Sequence, residues 1–199
     1  MLASPNEMRA YLAAEDSALL RSVLSSYSGQ SCLEIGSGNG GALLDLADGF
    51  SSVVGTDIVK PGLSDWKQPG VDFVLTDRAS CLQDRAFDLV AFNPPYIATE
   101  SVEDRATDGG RALHVPLAFL GEALRVVRRD GVVLMLLDGE TSIGPFESLC
   151  DRMGFRLRKI AGRHLFYEEL AVYEATSQVT GIDGADPVTL EGHDASMFP

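Results

Sequence analysis

The sequence predicts an α/β domain built on a mostly parallel seven-stranded sheet that closes with an antiparallel hairpin. Three observations carry this. Strand and helix patterns alternate from residue 31 onward, as parallel strands joined by crossovers require. A glycine-rich loop, Gly36-Ser37-Gly38-Asn39-Gly40, follows the first apolar strand. Two β-type segments then follow each other near the end of the pattern, with no helical stretch between them.

The elements follow in order. Ser31–Gly36 reads as the first strand, Gly40–Ala47 begins a helix, Ser52–Asp57 is the second strand and Val71–Asp77 the third. Between the second and third strands, Val59–Gly70 holds Pro61, Gly62, Pro69 and Gly70, which leaves room for a loop but not a full helix. Phe87–Phe92 makes the fourth strand, and Leu117–Val127 carries apolar residues at helical spacing. The unbroken apolar run Gly131–Leu137 suits a strand buried on both faces. Phe146–Met153 is a helix stopped by Gly154. Phe155–Ile160 and Leu165–Glu174 then form the hairpin, turning at Ala161-Gly162-Arg163-His164. We expect residues 1–175 to form one domain and 176–199, with four carboxylates and no Lys or Arg, to be an acidic tail.

With 199 residues, 45% of them apolar, the chain has the size and composition of one ordinary domain. No apolar run approaches the roughly 18 residues of a membrane span, and Met1–Arg9 lacks a basic segment leading into an apolar one. A cytoplasmic protein without membrane contact is expected. Cys32, Cys81 and Cys150 are scattered among apolar segments and read as buried reduced thiols, and the three histidines share no ligand spacing, so no metal site is expected. The net charge of −13 combines three lysines and thirteen arginines with seventeen aspartates. Such a surface repels phosphate backbones, which makes direct nucleic-acid binding a poor expectation, and it suits a very acidic or salty milieu and hence a salt-loving source.

Chemistry concentrates in two motifs. The first is Glu34-x-Gly36-x-Gly38-x-Gly40, whose glycines let the backbone turn sharply and approach a ligand that a Cβ would exclude. Asp57, at the end of the second strand, can accept both hydroxyls of a ribose. Gly36-x-Gly38-x-x-Gly41 also satisfies a dinucleotide fingerprint, so this loop alone does not separate two adenosine cofactors. The second motif is Asn93-Pro94-Pro95-Tyr96, directly after the fourth strand. Two successive prolines fix the backbone and remove two N–H donors, which leaves the Asn93 side chain and the Pro94 carbonyl as a rigid acceptor pair. A planar NH2 group fits such a clamp. Hydride chemistry has no use for it, which argues against a nicotinamide.

These residues resemble the class I S-adenosylmethionine-dependent amino-methyltransferases, with their Rossmann-like sheet, and among them the compact archaeal and eukaryotic branch of the release-factor glutamine methyltransferases. A third stretch is similar to that branch, Tyr11-Leu12-Ala13-Ala14-Glu15-Asp16-Ser17, here with Ala13 in place of the usual proline. Read without the family, it is a capped amphipathic helix. The resemblance implies that residues 1–30 cover the cofactor and that S-adenosyl-L-methionine, leaving as S-adenosyl-L-homocysteine, contacts Ser17, Glu34, Gly36, Gly38, Asp57, Asp77, Arg78 and Asn93. Asn93, Pro94, Pro95 and Tyr96 are implied to hold the substrate, with Asn93 and Pro94 accepting the N–H bonds and Tyr96 packing on the amide. The shortened segment after Asp57 and the acidic tail depart from the pattern.

The implied reaction is N5-methylation of the glutamine in a Gly-Gly-Gln motif of a translation release factor. The resemblance further implies a heterodimer with a small zinc-binding activator subunit, added at the edge strand Val71 to Thr76. The same clamp fits adenine N6 or guanine N2 of RNA or DNA; protein lysine methylation and a non-catalytic scaffold are the remaining alternatives. Asp108-Gly109-Gly110-Arg111 reads as a hinged loop near the substrate or as a surface turn.

Overall fold

The computed structural model describes residues 18–38, 46, 48–59, 70–94, 113–164 and 169–178. Among these, seven strands share one sheet: β1 (Gly29–Ile35), β2 (Phe50–Asp57), β3 (Val71–Leu75), β4 (Phe87–Phe92), β5 (Val127–Asp138), β6 (Phe155–His164) and β7 (Glu169–Ser177). Their order is β3-β2-β1-β4-β5-β7-β6, parallel from β3 to β5 and antiparallel across β7. Helix α1 (His114–Val126) leads into β5, α2 (Gly144–Met153) precedes β6, and a helical stretch covers residues 18–24.

The period of two along the strands sorts the core into two layers. Leu33 and Ile35 of β1, Val90 and Phe92 of β4, and Val133, Met135 and Leu137 of β5 pack with Phe119, Leu120, Ala123 and Leu124 of α1 and Phe146 and Cys150 of α2. Their strand neighbours Cys32, Leu89, Ala91, Val132, Leu134 and Leu136 pack with Leu20, Leu24, Leu46 and Phe50. Both faces of the central strands are therefore covered, and each buried Leu, Val or Phe contributes about 1.5–3 kcal/mol.

Several boundaries differ from expectation. The hairpin does not turn at Ala161–His164: these residues are paired with Val172, Ala171, Leu170 and Glu169. A register shift between Lys159 and Ala161 absorbs Ile160, so Gly162 serves a bulged strand and not a turn. The connection at 165–168 lies outside the described residues. The strand β5 starts at Val127, straight off α1, because Val126 and Val127 are both fully buried; a register shift opposite Phe87 and Leu89 accommodates the following residues. Gly131 is needed there, since a Cβ would come 2.7 Å from the Asp88 carbonyl oxygen. β3 ends at Leu75, leaving Thr76 and Asp77 in the turn beyond it. Cys32 and Cys150 are buried as expected, whereas Cys81, in the irregular segment before β4, is exposed. Most of the expected helix at Gly40–Ala47, the loop after Val59, the segment Asp108–Arg111 and the acidic tail lie outside the described residues.

Asp88 ties the N-terminal ends of the strands together. Its Oδ2 accepts the backbone N–H groups of Gln30 and Ser31, each at 2.8 Å, and its Oδ1 meets Arg128. Partial burial pulls its pKa upward, but those two N–H bonds and the Arg128 charge outweigh it and hold the carboxyl below the ordinary aspartate value. The ionised form is thus favoured by folding. Its contribution is complete above the unfolded-state pKa and disappears as the pH falls through the lower folded value. Asp88→Asn is expected to cost about 1–3 kcal/mol at pH 7. Thermal melts of the two chains should converge as the pH is lowered below 4.

Candidate active site

At the carboxyl ends of the parallel strands, β1 and β4 diverge toward opposite sides of the sheet order, and their C-terminal residues Ile35 and Phe92 are paired. Ligands of open α/β sheets bind in the crevice at such a switch point. The glycine loop leaves β1 on one side of it, and Asn93 leaves β4 on the other.

The loop is held by β2. The Thr56 carbonyl accepts the N–H groups of Gly36 at 2.8 Å and Ser37 at 2.9 Å, as well as the Ser37 hydroxyl at 3.2 Å. Asp57 continues the anchoring: Oδ2 accepts the N–H of Gly38 at 2.9 Å and Oδ1 that of Val59 at 2.8 Å. Gly36 and Gly38 adopt φ of +75° and +54°, which side-chain-bearing residues rarely take. At Gly36 space is short too, since a Cβ would lie 3.2 Å from the Phe119 ring; at Gly38 a Cβ would meet no heavy atom of the described residues within 4 Å.

Phe119 was not legible as a site residue. It reads as one more apolar position of α1, yet its ring lies under Gly36 and against Phe92, with centroids 5.9 Å apart and planes inclined by 44°. One aromatic side chain thus supports both the loop and the residue before Asn93. The Thr56 carbonyl was equally invisible, because a backbone acceptor leaves no mark on residue identity.

Among the described residues, four buried polar side-chain atoms near the carboxyl ends of these strands have no hydrogen-bond partner: Glu34 Oε2, Thr56 Oγ1, Arg78 Nε and Asn93 Oδ1. Buried polar atoms are ordinarily satisfied, so three acceptor-capable atoms and one donor call for a ligand rich in both. Glu34, 7% exposed, has its carboxyl pushed up to about 8, first by burial and then by the Asp57 charge. Asp77 and Arg78 follow β3 and pair with each other at 2.9 Å, Arg78 in the left-handed region at φ +51°, a conformation costing about 1 kcal/mol. The structure brings Glu34, Gly36, Gly38, Asp57, Asp77, Arg78, Asn93 and Pro94 to this one end of the sheet. Ser17, Pro95 and Tyr96 lie outside the described residues.

Comparison with known proteins agrees with this geometry. Residues 33–135 match the family model described as a methyltransferase domain. A protein of Methanocaldococcus jannaschii, named provisionally as a protein N5-glutamine methyltransferase, is 30% identical over 181 residues, covering 83% of this chain and 90% of its own length. Among solved structures, the Mtq2-Trm112 complex of E. cuniculi, responsible for methylating the eRF1 termination factor, superposes with a TM-score of 0.64 at 21% identity, over 82% of this chain and 95% of that one. The T. thermophilus 16S rRNA N2 G1207 methyltransferase, solved with AdoMet and guanosine, gives 0.56 at 22% identity, over 88% of this chain and 44% of that one. At these identities the two structures speak for the fold.

Two predictions follow from the crevice. Gly36→Ala is expected to lose about 1–2 kcal/mol of stability from its positive φ and the approach to Phe119, and to weaken binding of an adenosyl ligand by about tenfold in calorimetry. Because the folded carboxyl of Glu34 titrates near 8 instead of 4.5, folding favours its neutral form. Stability should therefore fall as the pH rises from about 4.5 to 8 and level off above. Glu34→Gln removes this loss, so its melting temperature should gain on the parent chain as the pH rises across that window.

Proposed function

The chain belongs to the methyltransferase-domain family, and on that premise we propose that it methylates the side-chain amide nitrogen of a glutamine, within the Gly-Gly-Gln motif of a translation release factor. S-adenosyl-L-methionine is the methyl donor; it supplies a methyl group made electrophilic by the sulfonium. The observation that carries the substrate class is Asn93 Oδ1, buried and without a hydrogen-bond partner among the described residues, beside the buried Pro94.

An amide nitrogen is a weak nucleophile because its lone pair is delocalised into the carbonyl. The chain's task is therefore orientation and selection of the reactive form. Asn93 Oδ1 and the Pro94 carbonyl each accept one N–H, which turns the remaining lobe of the nitrogen toward the methyl and favours charge on nitrogen. Transfer would form the C–N bond as the S–CH3 bond of the donor breaks, with S-adenosyl-L-homocysteine as the leaving product and one N–H proton passing to solvent. On the donor side, Asp57 would accept from the ribose hydroxyls with the lone pairs that Gly38 and Val59 leave free, Gly36 and Gly38 would admit the methionyl part, and Asp77 and Arg78 would border the adenine. Glu34 Oε2 accepts from an N–H or O–H of the donor, which would draw its pKa back down. Tyr96 and Pro95 complete the amide slot, and Ser17 caps the donor from the N-terminal segment.

A small zinc-binding activator subunit adds at β3, the strand that ends the sheet order among the described residues, forming a heterodimer. In support, β3 ends the sheet order among the described residues, Leu75 is 57% exposed, and Ile58 and Val59, which follow the end of β2, are 71% and 67% exposed. The E. cuniculi relative is a two-protein complex.

Asn93→Ala is expected to lower methyl transfer by at least about a thousandfold, while cofactor affinity, read by calorimetry, changes within a few fold. The parent chain, mixed with labelled S-adenosylmethionine, the activator and either a class I release factor or total RNA, should label the Gly-Gly-Gln glutamine, as located by mass spectrometry. Label on adenine N6 or guanine N2 would retain the clamp and overturn the glutamine assignment.

A further inference from the structure

The segment between β3 and β4 carries the pair Asp77-Arg78 at the carboxyl end of the sheet, and it is anchored on both sides of that pair. On the N-terminal side, the Thr76 N–H donates to the Asp57 carbonyl at 2.9 Å, which fixes the segment to the end of β2. On the C-terminal side the anchor is Arg125, in the last turn of α1. Its guanidinium donates five hydrogen bonds, one for each N–H it carries: Nη2 to the Ala79 carbonyl at 2.7 Å and to Glu122 at 2.8 Å, Nη1 to the Leu82 carbonyl at 2.9 Å and to Asp84, and Nε to Glu122 at 3.4 Å. The Arg125 carbonyl in turn accepts the Arg85 N–H at 3.1 Å.

Asp77 and Arg78 are strung between these anchors. The Ser80 N–H donates to the Asp77 carbonyl at 3.1 Å and the Leu82 N–H to the Ala79 carbonyl at 2.9 Å, which closes two successive turns, and Arg78 sits in the first of them at φ +51°. A residue with a side chain persists in that left-handed region only where its surroundings over-determine it. Here the next residue supplies the constraint, because the Ala79 carbonyl is gripped by the Leu82 N–H and by Arg125 together. Arg78 pairs with Asp77 at 2.9 Å, and its buried Nε has no hydrogen-bond partner among the described residues. A lysine at position 125 would keep the charge but not the planar fork that reaches both carbonyls at once.

We propose that Arg125 is a positioning residue for the methyl donor: by fixing Ala79 and Leu82 it sets the path of Asp77-Arg78 and, through them, the recognition of the adenine. This rests on the reading that Asp77 and Arg78 border the adenine and is independent of which nitrogen the enzyme methylates. Asp77 Oδ2 is engaged by Arg78, which leaves Oδ1 to accept from the adenine amino group. Helix α1 then serves both ends of the donor's slot, with Phe119 under Gly36 and Arg125 behind the adenine side.

The test measures, by calorimetry on the full chain, the affinity for S-adenosyl-L-homocysteine and for S-inosyl-L-homocysteine, which carries a carbonyl in place of the adenine amino group. The parent should prefer the adenine compound by at least about tenfold, since a carboxylate facing the inosine carbonyl loses a hydrogen bond and meets a like partial charge. Arg125→Lys, chosen over Arg125→Ala because it keeps the stem and the charge, should weaken the adenine compound about tenfold and the inosine compound by less than about twofold, so the preference collapses. Arg85→Asn controls for loosening of the segment as such. It removes the Arg85 bonds to the Leu124 and Val127 carbonyls, at 3.3 and 3.1 Å, and asparagine tolerates the φ of +56° there. This chain should melt at a lower temperature and keep the parent's preference. Asp77→Ala reports on the adenine placement and should erase the preference. If Asp77→Ala erases it while Arg125→Lys retains it, the positioning role is overturned and the adenine placement stands. If Asp77→Ala retains it, the adenine placement falls and the positioning role falls with it. Equal loss in Arg85→Asn and Arg125→Lys would also overturn the role, as a general loosening of the segment.

Discussion

The site depends on the end of β2 more than on any residue that faces a ligand. One carbonyl oxygen, that of Thr56, receives the backbone N–H groups of Gly36 and Ser37 and the Ser37 hydroxyl, and the next residue, Asp57, takes the N–H of Gly38. Without these four bonds the glycine loop would have no fixed path out of β1, because glycine itself imposes none. Gly36, Ser37 and Gly38 are thus held in place by the neighbouring strand. Asp57 therefore does two things at once: its carboxylate sets the loop and remains beside the crevice with lone pairs to spare.

The other half of the site is fixed from below. Phe119 of α1 touches the ring of Phe92 and lies within van der Waals reach of Gly36, so the helix that follows the clamp is also the floor of the loop. Small shifts of α1 would move both sides together. Among the described residues, buried polar atoms without partners gather along this end of the sheet, at Glu34, Thr56, Arg78 and Asn93, and burial together with the Asp57 charge raises the Glu34 carboxyl.

Much of the sheet was legible because both central layers are apolar. Runs such as Phe87–Phe92 and Gly131–Leu137 have one structural use, and Gly-rich punctuation after the first strand located the crevice. Legibility failed where backbone and tertiary geometry decide. The pairing of Ala161–His164 could not be inferred, since Gly162 reads as turn chemistry until the bulge at Ile160 is known. The early start of β5 was hidden by Arg128, Arg129 and Asp130, whose charges look like a loop although Val127 is already paired with Phe87. Phe119 failed for the opposite reason, since nothing in an amphipathic helix distinguishes a core residue from one that props up a loop.

The order β5-β7-β6 has a consequence for biosynthesis. The last strand to leave the ribosome is the one inserted between its two predecessors, β7 pairing with β5 on one side and β6 on the other. Until Glu169–Ser177 has been made, β6 has no ladder partner and β5 is open along its outer side. The nascent chain thus exposes two unpaired edges, one of them strongly apolar, during the final stretch of translation. The Tyr27 hydroxyl, donating to Glu174 at 2.8 Å across 147 residues of chain, likewise cannot find its acceptor before that moment. Synthesis through Ser177 is what closes this part of the sheet, so a chain cut between β6 and the end of β7 lacks an interior strand, whereas a cut beyond Ser177 leaves all seven strands in place.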